Sequence, residues 1–285
     1  MTSIAIGQVI QQAIKTLSLN DIEEAHLEAE LLTSHVLGFS RTELFIHLEN
    51  TLSPKQTEEI DQLIQRRLNH EPIAYILGHR EFFGLEFYVN SDTLIPRPET
   101  ELLVEKALDL TSNYHPPIHS IADIGTGCGA IAIALAVHLP QVEVYAIDIS
   151  APALEVAVVN CQRHKVADHI HLLQGDLLEP LTESVDLIVA NLPYVSDHAL
   201  VALSDEIRLF EPARALAGGS DGLQSIGRLL AQAQGKLNPK GALLLEISPD
   251  QQTAIVGFAY QYFPEATVKA IPDLSGRKRL IFIRS

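Results

Sequence analysis

Along the first part of the chain, apolar residues recur at the spacing of one helix face. Ile4, Ile6, Val9, Ile10, Ala13, Ile14 and Leu17 form one stripe, and Leu27, Leu31, Leu32 and Val36 form a second that runs to Gly38. Ser40 with Glu43 has capping-box spacing and opens a short helix through Leu44, Phe45 and Leu48. Ser53 before Pro54 reads as an N-cap with proline at the first helical position, leading a helix through Ile60, Leu63, Ile64 and Leu68. The acidic residues fall mostly off these stripes, on the side expected to face solvent. The pattern predicts a small helical domain over residues 1–77, with no catalytic constellation.

His70-Glu-Pro72 ends that pattern. Glu81 to Val89 is aromatic and β-branched around Gly84, which predicts a hairpin within a linker over residues 78–96. Pro98 is placed to begin a helix through Leu102, Leu103, Val104, Ala107 and Leu108, so Arg97, Glu99 and Glu101 read as helix-entry residues near its positive end. From Ile121 onward, short apolar runs alternate with helical stretches. Strands are expected at 120–124, 142–148, 169–174, 185–190, 241–248, 266–271 and 279–284, with helices near 129–139, 151–164, 221–237 and 249–262. That alternation predicts an α/β, Rossmann-like fold with a seven-stranded, mostly parallel sheet. Only Pro272 to Lys278 separates the last two strands, too little for a helical crossover, so one strand should run antiparallel. Ser112 to His119 is the most loop-like connection.

Two stretches carry candidate chemistry. Ile121 to Leu135 reads as strand, glycine turn and apolar helix. Gly125, Gly127 and Gly129 let the backbone turn sharply and approach a ligand, with Thr126 and Cys128 between them. Nothing near Cys128 would lower its pKa, so it reads as a small loop residue. A second strand ends in Asp148, 19 residues after Gly129, where an acid can accept hydrogen bonds from both ribose hydroxyls. An adenosine-containing cofactor follows. The glycines run Gly-x-Gly-x-Gly with Ala130 next, unlike the dinucleotide spacing, and with no pyrophosphate to seat, S-adenosylmethionine fits better. Asp176 and Leu177, beyond the third strand, would then flank the adenine at its amino edge and its face.

The second stretch is Val185 to Ser196, a buried-strand run that stops at Asn191-Leu-Pro-Tyr194. Ligands in open α/β sheets sit beyond the carboxyl ends of the strands, so this tetrapeptide faces the site. Asn191 offers a side-chain carbonyl, Leu192 a backbone carbonyl restrained by Pro193, and Tyr194 an aromatic face. A planar NH2 group could be held by both hydrogens. Read alone, the same four residues are also a strand-ending turn.

Composition narrows the partners. The chain has 285 residues, 47% of them apolar, and a formal net charge of −16. So acidic a surface repels phosphate backbones unless basic residues cluster, and the nearest clusters, Arg66-Arg67 and Arg277-Lys278-Arg279, are small. A protein or small-molecule substrate is preferred over free nucleic acid. No secretory leader and no membrane-length apolar run is visible, and the two cysteines, Cys128 and Cys161, have no metal or disulfide spacing. A reduced, cytoplasmic protein is expected.

The chain resembles the release-factor glutamine N5-methyltransferases of the HemK/PrmC type over nearly its full length. The matching stretches are Glu71 to Gly78, Glu81 to Phe87, Thr93 to Glu101, Asp123 to Ala134, Ala190 to Tyr194, Glu211-Pro with Ala215 to Leu223, and Asp273 to Arg277. The resemblance implies a class I methyltransferase domain over 97–285 and release-factor recognition by the helical domain. It implies methyl transfer from S-adenosylmethionine, leaving S-adenosylhomocysteine, to the glutamine amide of the Gly-Gly-Gln loop in class I peptide-chain release factors. The family's Asn-Pro-Pro-Tyr maps onto Asn191, Leu192, Pro193 and Tyr194, with Leu192 in place of the first proline; Ile247-Ser-Pro249 also departs from the family's Ile-Gly. The rival readings are an exocyclic amino methyltransferase acting on adenine or guanine, and a noncatalytic cofactor-binding adaptor.

Overall fold

Two helices of the N-terminal part begin where a serine side chain satisfies one of their first amides. A computed structural model describes residues 4–113 and 115–285, so the first three residues of the expected helical domain and residue 114 of the expected loop lie outside the described residues. The helices are α1 (Ile6–Ser18), α2 (Ala25–Leu37), α3 (Arg41–Ile46), α4 (Pro54–Leu68) and α5 (Ile73–Leu77). At the start of α3 the Ser40 N–H donates to the Glu43 carboxylate at 2.8 Å, and the Glu43 N–H donates back to Ser40 Oγ at 3.2 Å. Ser53 and Gln56 repeat the exchange at α4, with Pro54 in its first turn.

The stripe expected on α1 is buried from Ile6 to Leu17, with Ile4 ahead of the helix only partly covered, whereas on α2 the buried face is rotated. Ala25, Glu28, Ala29 and Leu32 are buried, while Leu27, Leu31 and Val36 are only partly covered. The reason is a charge that hydropathy cannot place inside. Arg67 on α4 grips Glu28 with two hydrogen bonds, 2.6 and 3.2 Å long, and reaches Glu206 at 3.0 Å. Glu206 lies in the short helix Asp205–Phe210, which forms one compact unit with the chain up to Gly78. Arg67 is therefore no part of a basic surface patch, and its neighbour Arg66 is paired with Glu71.

This arrangement predicts a large stability effect. Arg67 and Glu28 side chains are each 8% exposed, so Arg67→Ala leaves a buried carboxylate without its partner and should destabilise the helical unit by about 3–5 kcal/mol. Urea denaturation checks it, and a loss no larger than a surface substitution would contradict it. The double variant Arg67→Met with Glu28→Leu removes both charges and should recover most of the loss.

The second unit comprises His79–Ser204 and Glu211–Ser285. It opens with a hairpin, β1 (His79–Phe82) and β2 (Leu85–Tyr88), followed by a 3-10 turn over Pro98–Thr100 and α6 (Glu101–Asn113). The alternating part then runs β3 (Ser120–Ile124), α7 (Ala130–His138), β4 (Glu143–Asp148), α8 (Ala151–Arg163), β5 (Ile170–Gln174) and β6 (Val185–Ala190). After the short α9 (Asp197–Leu200) and α10 (Asp205–Phe210) come α11 (Gln224–Ala233), β7 (Leu237–Glu246), α12 (Gln252–Tyr262), β8 (Thr267–Pro272) and β9 (Lys278–Arg284).

The sheet order is β5-β4-β3-β6-β7-β9-β8, parallel except for β9, which runs antiparallel to both neighbours. The strands expected to read as unbroken apolar runs are the central ones. Ile121, Leu187, Ile188, Val189, Leu243 and Leu244 have no exposed surface, because helices cover both faces. The one acid in the β6 run, Asp186, sits at its start and accepts from the His119 and Ser120 amides at 2.8 and 3.1 Å. The order reverses between β3 and β6, which opens a crevice at their carboxyl ends. β7 begins earlier than the apolar run suggested, at Leu237, and a register shift opposite Val185 to Leu187 accommodates its polar first half. Among the described residues no helix is long and apolar enough to cross a membrane.

Candidate functional site

The glycine turn after β3 is held to the next strand by its own backbone. Gly125 and Thr126 both donate to the Ile147 carbonyl, at 2.8 and 3.0 Å. Gly125, Gly127 and Gly129 all take positive φ (75°, 57° and 84°), a conformation that costs other residues a steric penalty. At Gly129 a Cβ would also lie 2.9 Å from Ile133 Cδ1, so this glycine lets α7 pack. Asp148 closes the turn from the end of β4, one oxygen accepting from Gly127 N at 2.9 Å and the other from Ser150 N at 2.8 Å.

Behind the turn lies a second acid, absent from the sequence-based candidates. Asp123 is fully buried, and its Oδ2 accepts from the Thr126 hydroxyl at 2.6 Å and the Ala132 amide at 3.1 Å. Burial pushes its carboxyl up to about 7, against the opposing pull of those two donors. Thr126 thus spends its side chain on the interior. Cys128 is buried as well, its carbonyl accepts from Asn160 Nδ2 at 2.9 Å, and burial pushes its thiol up to about 12. Of the five turn residues proposed to meet a cofactor, Gly125 and Gly127 line the cavity; Thr126, Cys128 and Gly129 shape the turn from behind.

That cavity, about 740 Å³, lies at the carboxyl ends of β3, β4, β5 and β6, within the range usual for small-molecule sites. Asp148, Asp176, Leu177, Asn191, Leu192 and Pro193 all border it, so the two stretches singled out in the sequence share one space. Leu192 is 5% exposed. A Cβ on Gly125 would sit 3.2 Å from Leu192 Cδ2, which places the leucine side chain directly over the glycine turn. Ser91 to Leu94, Arg214 and Arg228 also line the wall, and the sequence assigned none of them to it. Arg228, from α11, forms an ion pair with Asp176. Only the fold brings an acid after β5 to an arginine 52 residues later, so no sequence spacing could have shown it.

Tyr194, expected to offer its aromatic face to the site, is not among the residues that line the cavity. Its hydroxyl donates to Glu246 Oε1 at 3.5 Å, and burial, with Glu246 nearby, pushes its phenol up to about 12. Glu246 closes β7, is 4% exposed and is pushed up to about 7 by burial, with the Thr100 hydroxyl pulling down, Glu99 pushing up and Arg279 pulling down. Asn191 Nδ2 donates to Thr100 Oγ1 at 3.0 Å. The helix-entry segment therefore has a larger part than capping. Thr100 holds the motif asparagine, Arg97 pairs with the buried Glu211, and Glu101 accepts from the Phe83 amide at 2.9 Å.

The Ala215 to Leu223 stretch, to which the sequence assigned no role, runs alongside the motif. Val195 donates to the Leu216 carbonyl at 3.0 Å, and Gly218 donates to the Val195 carbonyl at 2.8 Å. Gln251 Nε2 donates to the Tyr194 carbonyl at 3.0 Å and to the Gly222 carbonyl at 3.2 Å.

With this geometry in place, comparison with known proteins is specific. Residues 8–78 match the family described as the PrmC N-terminal domain, and residues 99–243 match the methyltransferase small domain. A release factor glutamine methyltransferase of Moorella thermoacetica is 40% identical over 277 residues, which cover 97% of this chain and 97% of that protein. The protein of the same name from Bordetella pertussis is 43% identical over 230 residues, covering 80% and 83% of the two chains. Among solved structures, the hMettl16 catalytic domain aligns with a TM-score of 0.56 at 17% identity, over 76% of this chain and 82% of that one. A methyltransferase from Pyrococcus furiosus aligns at 0.51 and 20% identity, over 77% and 95%. The structural likenesses speak for the methyltransferase fold alone, but the full-length sequence matches settle the family: this chain belongs to the release factor glutamine methyltransferases.

Proposed function

We propose that the protein methylates the side-chain amide nitrogen N5 of the glutamine in the Gly-Gly-Gln loop of class I peptide-chain release factors, with S-adenosylmethionine as donor. The observation that carries this is the shared cavity: Asn191 and Leu192 border the same space as Gly125, Gly127 and Asp148. When bound there, S-adenosylmethionine supplies a methyl group on a positively charged sulfur. The glycine turn is a cradle that a Cβ at Gly125 would crowd, and Asp148 is anchored by two amides with its carboxylate on the cavity wall, placed to accept from ribose hydroxyls. Leu177 offers an apolar face to the adenine. Asp176 keeps an oxygen for its amino edge while the other pairs with Arg228.

An amide nitrogen is a weak nucleophile because its lone pair is delocalised into the carbonyl. The Asn191 side-chain carbonyl and the Leu192 backbone carbonyl accept its two N–H groups and fix the direction in which it faces. Tyr194 backs the motif and holds it against Glu246. Positioning supplies most of the acceleration, and no dedicated base is needed, since an amide that has gained a methyl group loses its proton readily to water. A release-factor substrate suits the net charge of −16, and a translation factor as substrate supports a cytoplasmic location.

Mass spectrometry of the Gly-Gly-Gln peptide after incubation of release factor with protein and S-adenosylmethionine tests the reading. One added methyl on the glutamine is expected. Label from the cofactor that enters DNA or RNA and leaves the release factor unmodified would overturn it.

A further inference from the structure

The Asn191 to Tyr194 motif lies in a closed ring of chain whose segments are joined by hydrogen bonds and one ion pair. On one side Asn191 Nδ2 donates to Thr100 Oγ1 at 3.0 Å, and the Thr100 amide donates to the Arg97 carbonyl at 3.1 Å. On the other side Val195 donates to the Leu216 carbonyl at 3.0 Å. A tight turn then carries the chain back to Glu211, the Ala215 amide donating to Pro212 at 2.8 Å and the Ala217 amide to Ala213 at 2.9 Å. Arg97 and Glu211, 114 residues apart in sequence, meet in an ion pair and close the ring.

The place of this pair decides what it can do. Glu211 also accepts from Ile95 N at 3.3 Å, and Thr93 and Leu94, just before Ile95, line one part of the cavity wall while Pro212 to Ala215 line another. The pair therefore ties two parts of the wall together. Neither Arg97 nor Glu211 lines the cavity. The Glu211 side chain is 1% exposed, and a charge-assisted pair at a buried site fixes direction as well as distance, which an apolar contact does not. The glycine turn has separate anchors, the Ile147 carbonyl and the Asp148 carboxylate. Opening the ring would free the motif and leave the cofactor cradle in place.

Resting on the amide-methylation reading above, we propose that Arg97 and Glu211 are positioning residues: their ion pair is the clasp of the ring and fixes where the Asn191 and Leu192 carbonyls point. With the clasp open, both flanks of the motif can shift, and the two acceptors no longer converge on one NH2 group. The loss falls on turnover, and cofactor binding is spared.

The test compares wild type, Arg97→Met, and Arg97→Met combined with Glu211→Leu, by urea denaturation, cofactor calorimetry, kcat on release factor and hydrogen exchange of backbone amides read by mass spectrometry. Arg97→Met leaves the Glu211 carboxylate without its cation and should lose both stability and turnover. Adding Glu211→Leu removes the stranded charge, so most of the stability should return while kcat stays at least about tenfold below wild type. In the double variant the Val195, Ala217 and Gly218 amides should exchange at least about tenfold faster, whereas the Gly125 and Thr126 amides keep their protection. Its cofactor affinity should stay within about threefold of wild type. If the double variant does not fold, as shown by loss of cofactor binding, Glu211→Gln removes the charge, keeps an acceptor for Ile95 and should give the same pattern of exchange and turnover. Turnover that returns together with stability would overturn the proposal, because a pair that only holds the fold together gives that result. Unchanged exchange at Val195, Ala217 and Gly218 would overturn it too, as would exchange that rises equally at Gly125 and Thr126. The exchange measurement needs no methyl transfer, so it tests the clasp even where wild type binds cofactor and leaves the release-factor glutamine unmodified, the separate result that sinks the functional reading.

Discussion

Asn191→Ala is expected to lower kcat by about 10²–10³-fold, the effect of losing one well-placed polar group at a reacting centre, while binding of S-adenosylmethionine weakens far less. The asparagine is the last residue before Leu192 at the carboxyl end of β6 and borders the cavity with its amide tied to Thr100. Removing the side chain takes away one of two acceptors for the target NH2 and leaves the Leu192 carbonyl to hold it alone. A singly held amide can rotate about the remaining hydrogen bond, and misplacement by about 1 Å is enough to cost a hundredfold. The glycine turn and Asp148 do not depend on Asn191, since they are fixed through Ile147 and Ser150. Single-turnover methylation of release factor, together with calorimetric titration of the cofactor, separates the two effects. Equal turnover by variant and wild type would take Asn191 out of the reaction.

Much of this arrangement could be read from residue order. Periodicity placed the longer helices and all seven strands of the main sheet, because parallel strands buried on both faces write themselves as unbroken apolar runs. The short gap between β8 and β9, five residues from Asp273 to Arg277, forced the antiparallel pair. Local signals were legible as well: Ser40 with Glu43, and Ser53 before Pro54, act within one turn of helix, so their partners are neighbours in sequence.

What escaped was every interaction whose partner is distant. Glu28 reads as a solvent-facing acid until Arg67 arrives from α4 to neutralise it, 39 residues away. Glu246 sits in an apolar strand with nothing nearby in sequence to explain it, and its hydrogen-bond partner Tyr194 comes from the segment after β6, 52 residues away. Asp176 was legible as an acid at a strand end, and Arg228 was not. The short helices α9 and α10 carry too few residues to show a period. Thr126 and Cys128 show the converse: a motif reads in sequence as one unit, whereas in the fold Gly125 and Gly127 line the cavity while the Thr126 hydroxyl and Cys128 are turned to the interior.

The glycines of the Ala215 to Leu223 stretch give the other large expected effect. Gly222 has φ of 76°, and a Cβ there would lie 2.2 Å from the Tyr194 carbonyl oxygen and 2.6 Å from Gln251 Nε2. Tyr194 cannot simply retreat, because Gln251 grips its carbonyl and the Val195 amide is bonded to Leu216. Gly222→Ala must therefore push the motif backbone toward the cavity or break the strap that holds it. The left-handed backbone costs about 1–2 kcal/mol and the overpacking about 1–3 kcal/mol more, and displacement of the motif should lower kcat by at least about a hundredfold. Gly276 provides the control. Its φ is 83°, yet a Cβ there would meet nothing within 4 Å. Gly276→Ala should lose only the conformational part of the stability and keep wild-type turnover. Denaturation midpoints and methylation rates for the two variants distinguish crowding of the motif from backbone strain: similar rates in both would mean that the glycine strap does not set the position of Asn191 to Tyr194.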